Sequence, residues 1–135
     1  MILVTGGAGF IGSNFIQNWF INSEEPIIAL DKLTYAGNLG NLETLKNNDN
    51  FKFLKTDISS SKTIRKILKE EKPRAVINFA AESHVDRSIL SPRAFFETNV
   101  LSTLDFLDCC KDYWQDMPDK ERKAFIFLHI STDEV

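Results

Sequence analysis

"ILVTGGAGFIG", Ile2 to Gly12, decides how the rest of the chain is read. A short apolar run that breaks on glycines and leads straight into an amphipathic segment reads as a strand, a tight turn and a helix. The glycines fall as Gly7-x-Gly9-x-x-Gly12 and equally as Gly6-x-x-Gly9-x-x-Gly12. In that setting each has a use in dinucleotide binding. Gly6 is expected at positive φ in the turn. Gly9 lets the backbone approach a pyrophosphate, and Gly12 lets helix and strand pack closely. The helix start then offers unbonded N–H groups and the positive end of its dipole to an anion. A tight turn with no ligand has the same spacing.

Outward from this stretch the patterns alternate. Residues 11–22 place Ile11, Phe15, Ile16, Trp19 and Phe20 on one helical face. "PIIALD" (Pro26 to Asp31) is a second strand and "NLETLK" (Asn41 to Lys46) a short helix. "FKFLKTD" (Phe51 to Asp57) is a third strand. Ser59–Ser61 can cap the next helix, whose Ile64, Ile67 and Leu68 face the core. "RAVINFAA" (Arg74 to Ala81) is a fourth strand, and Pro92 suits the first turn of a long helix. That helix carries Phe95, Phe96, Val100, Leu104 and Leu107 at helical spacing. Lys111 to Lys123 reads as a helix end and solvated loop, and "AFIFLHIS" (Ala124 to Ser131) as a fifth strand. Apolar strands separated by amphipathic helices indicate α/β architecture, a Rossmann-type doubly wound parallel sheet. The predicted domain is 1–135, a dinucleotide-binding unit that stops after its fifth strand.

Composition narrows the setting. Of 135 residues, 43% are apolar and 26% charged, with a formal net charge of −3 and no long basic run. Neither nucleic acid nor an anionic membrane surface is an expected partner. "MILVTGG" lacks the basic start of a signal peptide, and no stretch is apolar for the roughly 20 residues a membrane span needs. Cys109 and Cys110 are adjacent, which disfavours a disulfide between them; two thiols fit a reducing cytoplasm, and packing is their expected role. His84 and Asp86 supply two possible metal ligands without a third, so no metal site is expected. Asp105, Asp108 and Asp112 recur at helical spacing and read as a solvated or interface face.

Ligands of such a sheet sit beyond the carboxyl ends of its strands, and the polar residues cluster there. Asp31 follows Gly12 by 19 positions and closes the second strand, the place of an acid that bonds a ribose 2′-hydroxyl. Its charge favours NAD over NADP; Lys32 beside it could neutralise a 2′-phosphate and pulls slightly the other way. Asp57, with Ile58, closes the third strand, where it could accept from an adenine amino group or cap the next helix.

Together these segments resemble the extended short-chain dehydrogenase/reductase superfamily, and within it the nucleotide-sugar 4,6-dehydratases. "TGGAGFIGSNF" (Thr5 to Phe15) is common to the superfamily. "DKLTYAGNLGNL" (Asp31 to Leu42), "AAESHVDRSI" (Ala80 to Ile89), "ETNV" (Glu97 to Val100) and "HISTDEV" (His129 to Val135) are more specific. The resemblance implies that Gly6, Gly9, Phe10, Ile11 and Gly12 lie at the pyrophosphate of NAD. It places Asp31, Lys32, Leu33 and Thr34 around the adenosine ribose, and Asp57 and Ile58 at the adenine. Phe79, Ala80, Ala81, Glu82 and Ser83 would line the nicotinamide side, Ser83 also reaching the sugar nucleotide. Thr98 would touch the cofactor, while Asn99 would brace the backbone of the site.

The implied substrate is a nucleotide sugar, dTDP-glucose, and the implied chemistry runs in three stages. Hydride leaves sugar C4 for NAD, water is eliminated across C5 and C6, and hydride returns to C6. Glu134 would be the base at C5, Asp133 the acid to the departing hydroxyl, and Thr132 would hold O4. Neighbouring carboxylates suit this because like charges at close range separate their pKa values. "STDE" alone also suits a helix cap.

The resemblance further implies a Tyr-x-x-x-Lys pair, yet Tyr35 is followed four positions on by Leu39 and Tyr113 by Met117. The chain is therefore expected to be the N-terminal part of a longer dehydratase, inactive alone and dimeric in full. The alternatives are an NAD-binding module without turnover, or a parent sugar-nucleotide 4-epimerase, against which Asp133-Glu134 argues.

Overall fold

The computed structural model describes residues 1–83 and 89–131. The first four strands and their connections are β1 (Ile2–Thr5), α1 (Phe10–Asn22), β2 (Ile27–Asp31), a 3-10 helix (Leu39–Leu45), β3 (Phe51–Lys55), α2 (Ser61–Glu71) and β4 (Ala75–Asn78). A helical stretch follows, α3 (Pro92–Phe96), a π-helical turn (Glu97–Ser102) and α4 (Thr103–Gln115), then α5 (Asp119–Ala124) and β5 (Ile126–His129). All pairings are parallel and the strand order is β3-β2-β1-β4-β5. The order reverses direction between β1 and β4, which opens a crevice at their carboxyl ends.

β1 and β4 are buried at every position, and alternate residues feed separate cores. Leu3, Leu30 and Val76 pack with Ile64 and Leu68 of α2 and Phe106 of α4 on one face. Ile2, Val4, Ala29 and Ile77 pack with Ile16 of α1 and Leu42 and Leu45 of the 3-10 helix on the other. Two helical layers therefore clamp one sheet, as the continuous apolar strands require.

Three local readings change. Ile11, expected on the buried face of α1, is 62% exposed and lines the cleft from the first turn of the helix. The segment read as a solvated loop contains α5. Pro118 precedes it, Asp119 and Glu121 sit in its first turn and Arg122 and Lys123 in its last, each charge favourable to the helix dipole. The serines before α2 make no side-chain cap; Asp57 Oδ1 instead accepts from Ser59 N–H at 2.9 Å and shapes the turn.

The long helix from Pro92 is interrupted. Hydroxyls of Ser102 and Thr103 bond the carbonyls of Glu97 and Thr98, five residues back, at 2.8 and 3.3 Å. Phe106, Cys109 and Cys110 face the core, while Phe96, Val100, Leu104 and Leu107 form an exposed stripe. Burial raises the Cys110 thiol to about 12, in keeping with a packing role. Asp112 pairs with Arg65 of α2, tying the two helices at the surface. In β5, Phe127 packs on Phe106, but Ile126 and Leu128 on the opposite face are about half exposed.

Two outcomes follow from the helix end and the sheet's lower rim. Lys72 ends α2 at φ 50° in the left-handed region, where a side chain is unfavourable. Lys72→Gly is expected to raise stability by about 0.5–1 kcal/mol in urea unfolding. Glu25 accepts two bonds from Arg74 at 2.6 Å and one from the Met1 ammonium at 2.8 Å. The Arg74 guanidinium, with help from the ammonium, lowers its carboxyl from 4.5 to about 2. The pair's contribution is full above pH 4.5 and is lost as pH falls towards 2. Glu25→Gln should therefore flatten the stability-versus-pH slope in that window, as followed by thermal unfolding.

Candidate functional site

The joint between β1 and α1 is made without side chains. Gly6 has φ +66°, and a Cβ there would lie 2.7 Å from the backbone of Phe79 and Ala80. A Cβ on Gly12 would strike the Gly6 carbonyl oxygen. Gly9 forms the N-cap of α1 with no capping side chain, and no acid occupies the first turn. The first turn of a 13-residue helix thus presents free N–H groups and its positive dipole end to the crevice. That is the chemistry a pyrophosphate needs.

Beside it, Asp31 closes β2 and is held from two directions. Oδ2 accepts from Ala8 N–H at 3.0 Å and Oδ1 from Leu33 N–H at 2.7 Å. Each oxygen retains a lone pair for a hydroxyl donor. Gly37 is required here, since a Cβ would come within 2.7 Å of Asp31 Oδ1. Lys32 Nζ lies 3.4 Å from Thr98 Oγ1 and 3.9 Å from Asp57 Oδ2. Asp57 does not cap α2: its Oδ1 shapes the turn before the helix, and the residue lines the cleft.

The far bank is built from the segment after β4. Asn99, on the π turn, donates through Nδ2 to Glu82 O and accepts at Oδ1 from Glu82 N–H, both at 2.8 Å. This is the bracing expected of Asn99. Below, a polar chain runs from the buried Thr5 and Asn78 out to the exposed His129 and links three strand ends. Thr5 Oγ1 accepts from Ala80 N–H and donates to Asn78 Oδ1, and Asn78 Nδ2 meets His129 Nδ1 at 2.9 Å. Thr5 and Asn78 are fully buried, so the chain locks β1, β4 and β5 at the crevice.

These parts enclose an open cleft of about 830 Å³. Gly6, Gly9, Phe10, Ile11 and Gly12 line its floor; Asp31, Lys32, Thr34, Asp57 and Ile58 line one bank. Phe79, Ala80, Ala81, Glu82, Ser83 and Thr98 line the other. Leu33 is the exception: it does not line the cleft but packs on the α1-side core, with φ 57°. Sequence reasoning missed Ala36, Gly37, Thr56, Phe95, Thr103 and Ile130, which also line it. Only Gly37 carried a signal, as a glycine close behind a strand-end acid. Thr132, Asp133 and Glu134, and also His84 and Asp86, lie outside the described residues.

A family model described as GDP-mannose 4,6 dehydratase matches residues 3–135. The chain belongs to this family. Among curated members, a dTDP-glucose 4,6-dehydratase of Xanthomonas campestris pv. campestris (strain B100) is 53% identical over 133 residues, 98% of this chain and 38% of that protein. The dTDP-glucose 4,6-dehydratase of Bacillus anthracis str. Ames, solved in complex with NAD, is 38% identical with a TM-score of 0.81, over 99% of this chain and 38% of that one. A double mutant of the Streptomyces venezuelae dTDP-glucose 4,6-dehydratase, solved with NAD bound, is 41% identical with a TM-score of 0.79, over 84% and 36%. The chain thus spans well under half the length of these dehydratase-family relatives, within which its five-stranded parallel sheet matches.

The polar chain gives the site its own test. Asn78→Ala strands the Thr5 hydroxyl and is expected to cost about 1–3 kcal/mol in urea unfolding. Combining it with Thr5→Val should cost less than the sum of the two single changes, because the stranded hydroxyl is then gone.

Proposed function

We propose that this chain is the NAD-binding part of a dTDP-glucose 4,6-dehydratase. The observation that carries the reading is the uncapped start of α1 over a side-chain-free glycine joint, flanked by Asp31. Relatives named dTDP-glucose 4,6-dehydratase, two of them solved with NAD, support it.

NAD, when bound, supplies a hydride acceptor. The chain's residues supply the rest. The N–H groups of the first turn of α1 hold the pyrophosphate, with Phe10 and Ile11 beside it. Asp31 accepts from the adenosine ribose through its spare lone pairs and repels a 2′-phosphate. Lys32 and Thr34 flank that ribose, with Leu33 acting from beneath as a packed support. Asp57 Oδ2 and Ile58 receive the adenine. The backbone of Phe79, Ala80, Ala81, Glu82 and Ser83, braced by Asn99, lines the nicotinamide end, and Thr98 closes it. Ser83 and Thr132 orient the sugar nucleotide, with Asp133 as acid and Glu134 as base.

In the whole protein the exposed stripe of Phe96, Val100, Leu104 and Leu107 belongs to a homodimer contact. Two buried free thiols support a reducing, cytoplasmic setting, and a net charge of −3 is a poor match for nucleic acid; no described helix is long and apolar enough to cross a membrane. The 4-epimerase alternative is less favoured, given a dehydratase relative at 53% identity.

Calorimetric titration of the 135-residue chain with NAD, followed by dTDP-glucose and an assay for 4-keto sugar, tests this. The expected result is saturable NAD binding without product, because the chain has no Tyr-x-x-x-Lys pair. Absence of binding overturns the cofactor reading. Product formation overturns the reading of a non-turnover binding part.

A further inference from the structure

The loop after β2 and the π turn after β4 stand on opposite banks of the cleft, with β1 and its glycine joint between them. Two side-chain bridges join these banks. Lys32 Nζ reaches Thr98 Oγ1 at 3.4 Å, and the Tyr35 hydroxyl donates to Glu82 Oε2 at 3.0 Å. A bond between opposite banks of an open cleft crosses it. The second bridge has a rigid anchor, since both backbone polar groups of Glu82 are taken by the Asn99 amide. Thr98 receives the first crossing, and its neighbour on the π turn, Asn99, anchors the residue that receives the second. Nothing in the cofactor roles above requires Tyr35, which is half exposed and packs into neither core cluster.

We infer that Tyr35 and Glu82 form a clasp across the dinucleotide site, with Asn99 as the positioning residue that holds Glu82 in place, and that this clasp gates cofactor exchange. The inference rests on the NAD reading above. Its physical content is kinetic. The Tyr35–Glu82 bond spans the two banks, so it must open both for entry and for release. Removing it lowers both barriers together and leaves the equilibrium nearly unchanged. A residue that merely touches the cofactor behaves differently: its loss speeds release alone and weakens binding.

Stopped-flow measurement of NAD association and dissociation with the 135-residue chain separates these cases. For Tyr35→Phe, entry and release are both expected to quicken by about three- to tenfold, the net scale of one solvent-exposed hydrogen bond, with Kd within about twofold, and Glu82→Ala should quicken both rates as well. Glu82→Gln keeps an acceptor for the Tyr35 hydroxyl and should return the rates towards those of the unsubstituted chain. Asn99→Ala should quicken both rates as well, and should speed hydrogen exchange at the Glu82 amide, which then has no acceptor. Unchanged rates in Tyr35→Phe overturn the clasp, as does faster release with weakened binding. If the unsubstituted chain takes up no NAD, the cofactor reading itself falls and takes the gating role with it.

Discussion

A side chain at Gly12 would strike the carbonyl of Gly6, so α1 lies against the end of β1 with no side chain between. Because helix and strand meet backbone to backbone, the helix axis points into the crevice and its first N–H groups are left for a ligand. The same compression explains the second contact of Gly6, against the backbone of Phe79 and Ala80. One glycine at φ +66° thereby sets the distance between the loop after β1 and the loop after β4. The floor of the cleft and its far bank are fixed by a single turn.

Asp31 extends that order to the near bank. Its carboxylate ties the glycine joint, through Ala8, to its own loop, through Leu33. Leu33 is held in a conformation that disfavours a side chain by roughly 1–2 kcal/mol. The bond from its N–H and its packing on the α1-side core offset that, and Gly37 leaves the carboxylate room. Asp31 is thus a structural tether, its carboxylate oriented by two backbone N–H groups of its own chain.

Most of the fold was legible because its signals are local. Apolar runs such as Ile2–Thr5 and Ala75–Asn78, buried on both faces, specify a parallel sheet, and the glycine spacing specifies the first crossover. The candidate site was legible where it follows strand ends directly, and all but Leu33 of its described residues face one cleft. What sequence could not give depends on packing across distance. The left-handed φ of Leu33 comes from a bond to Asp31, and the burial of Thr5 and Asn78 comes from their meeting each other. The placement of Ile11 in the cleft rather than the core depends on how the first turn of α1 sits over the glycine joint. The π turn had no spacing signature at all, since Phe96, Val100, Leu104 and Leu107 read as uninterrupted α-helix.

That turn makes chain length itself a specified quantity. A π turn carries one residue more than the α-helical turn it replaces, and each residue of an α-helix rotates it by about 100°. The added residue lets α3 and the turn aim Phe95, Thr98 and Asn99 at the cleft while α4 aims Phe106, Cys109 and Cys110 at α2. Loops elsewhere in the molecule can vary in length at little expense. Between Glu97 and Ser102, loss of a single residue would leave every remaining side chain chemically intact and turn one half of the helix away from its partner. Within this segment, spacing is as restrictive as residue type.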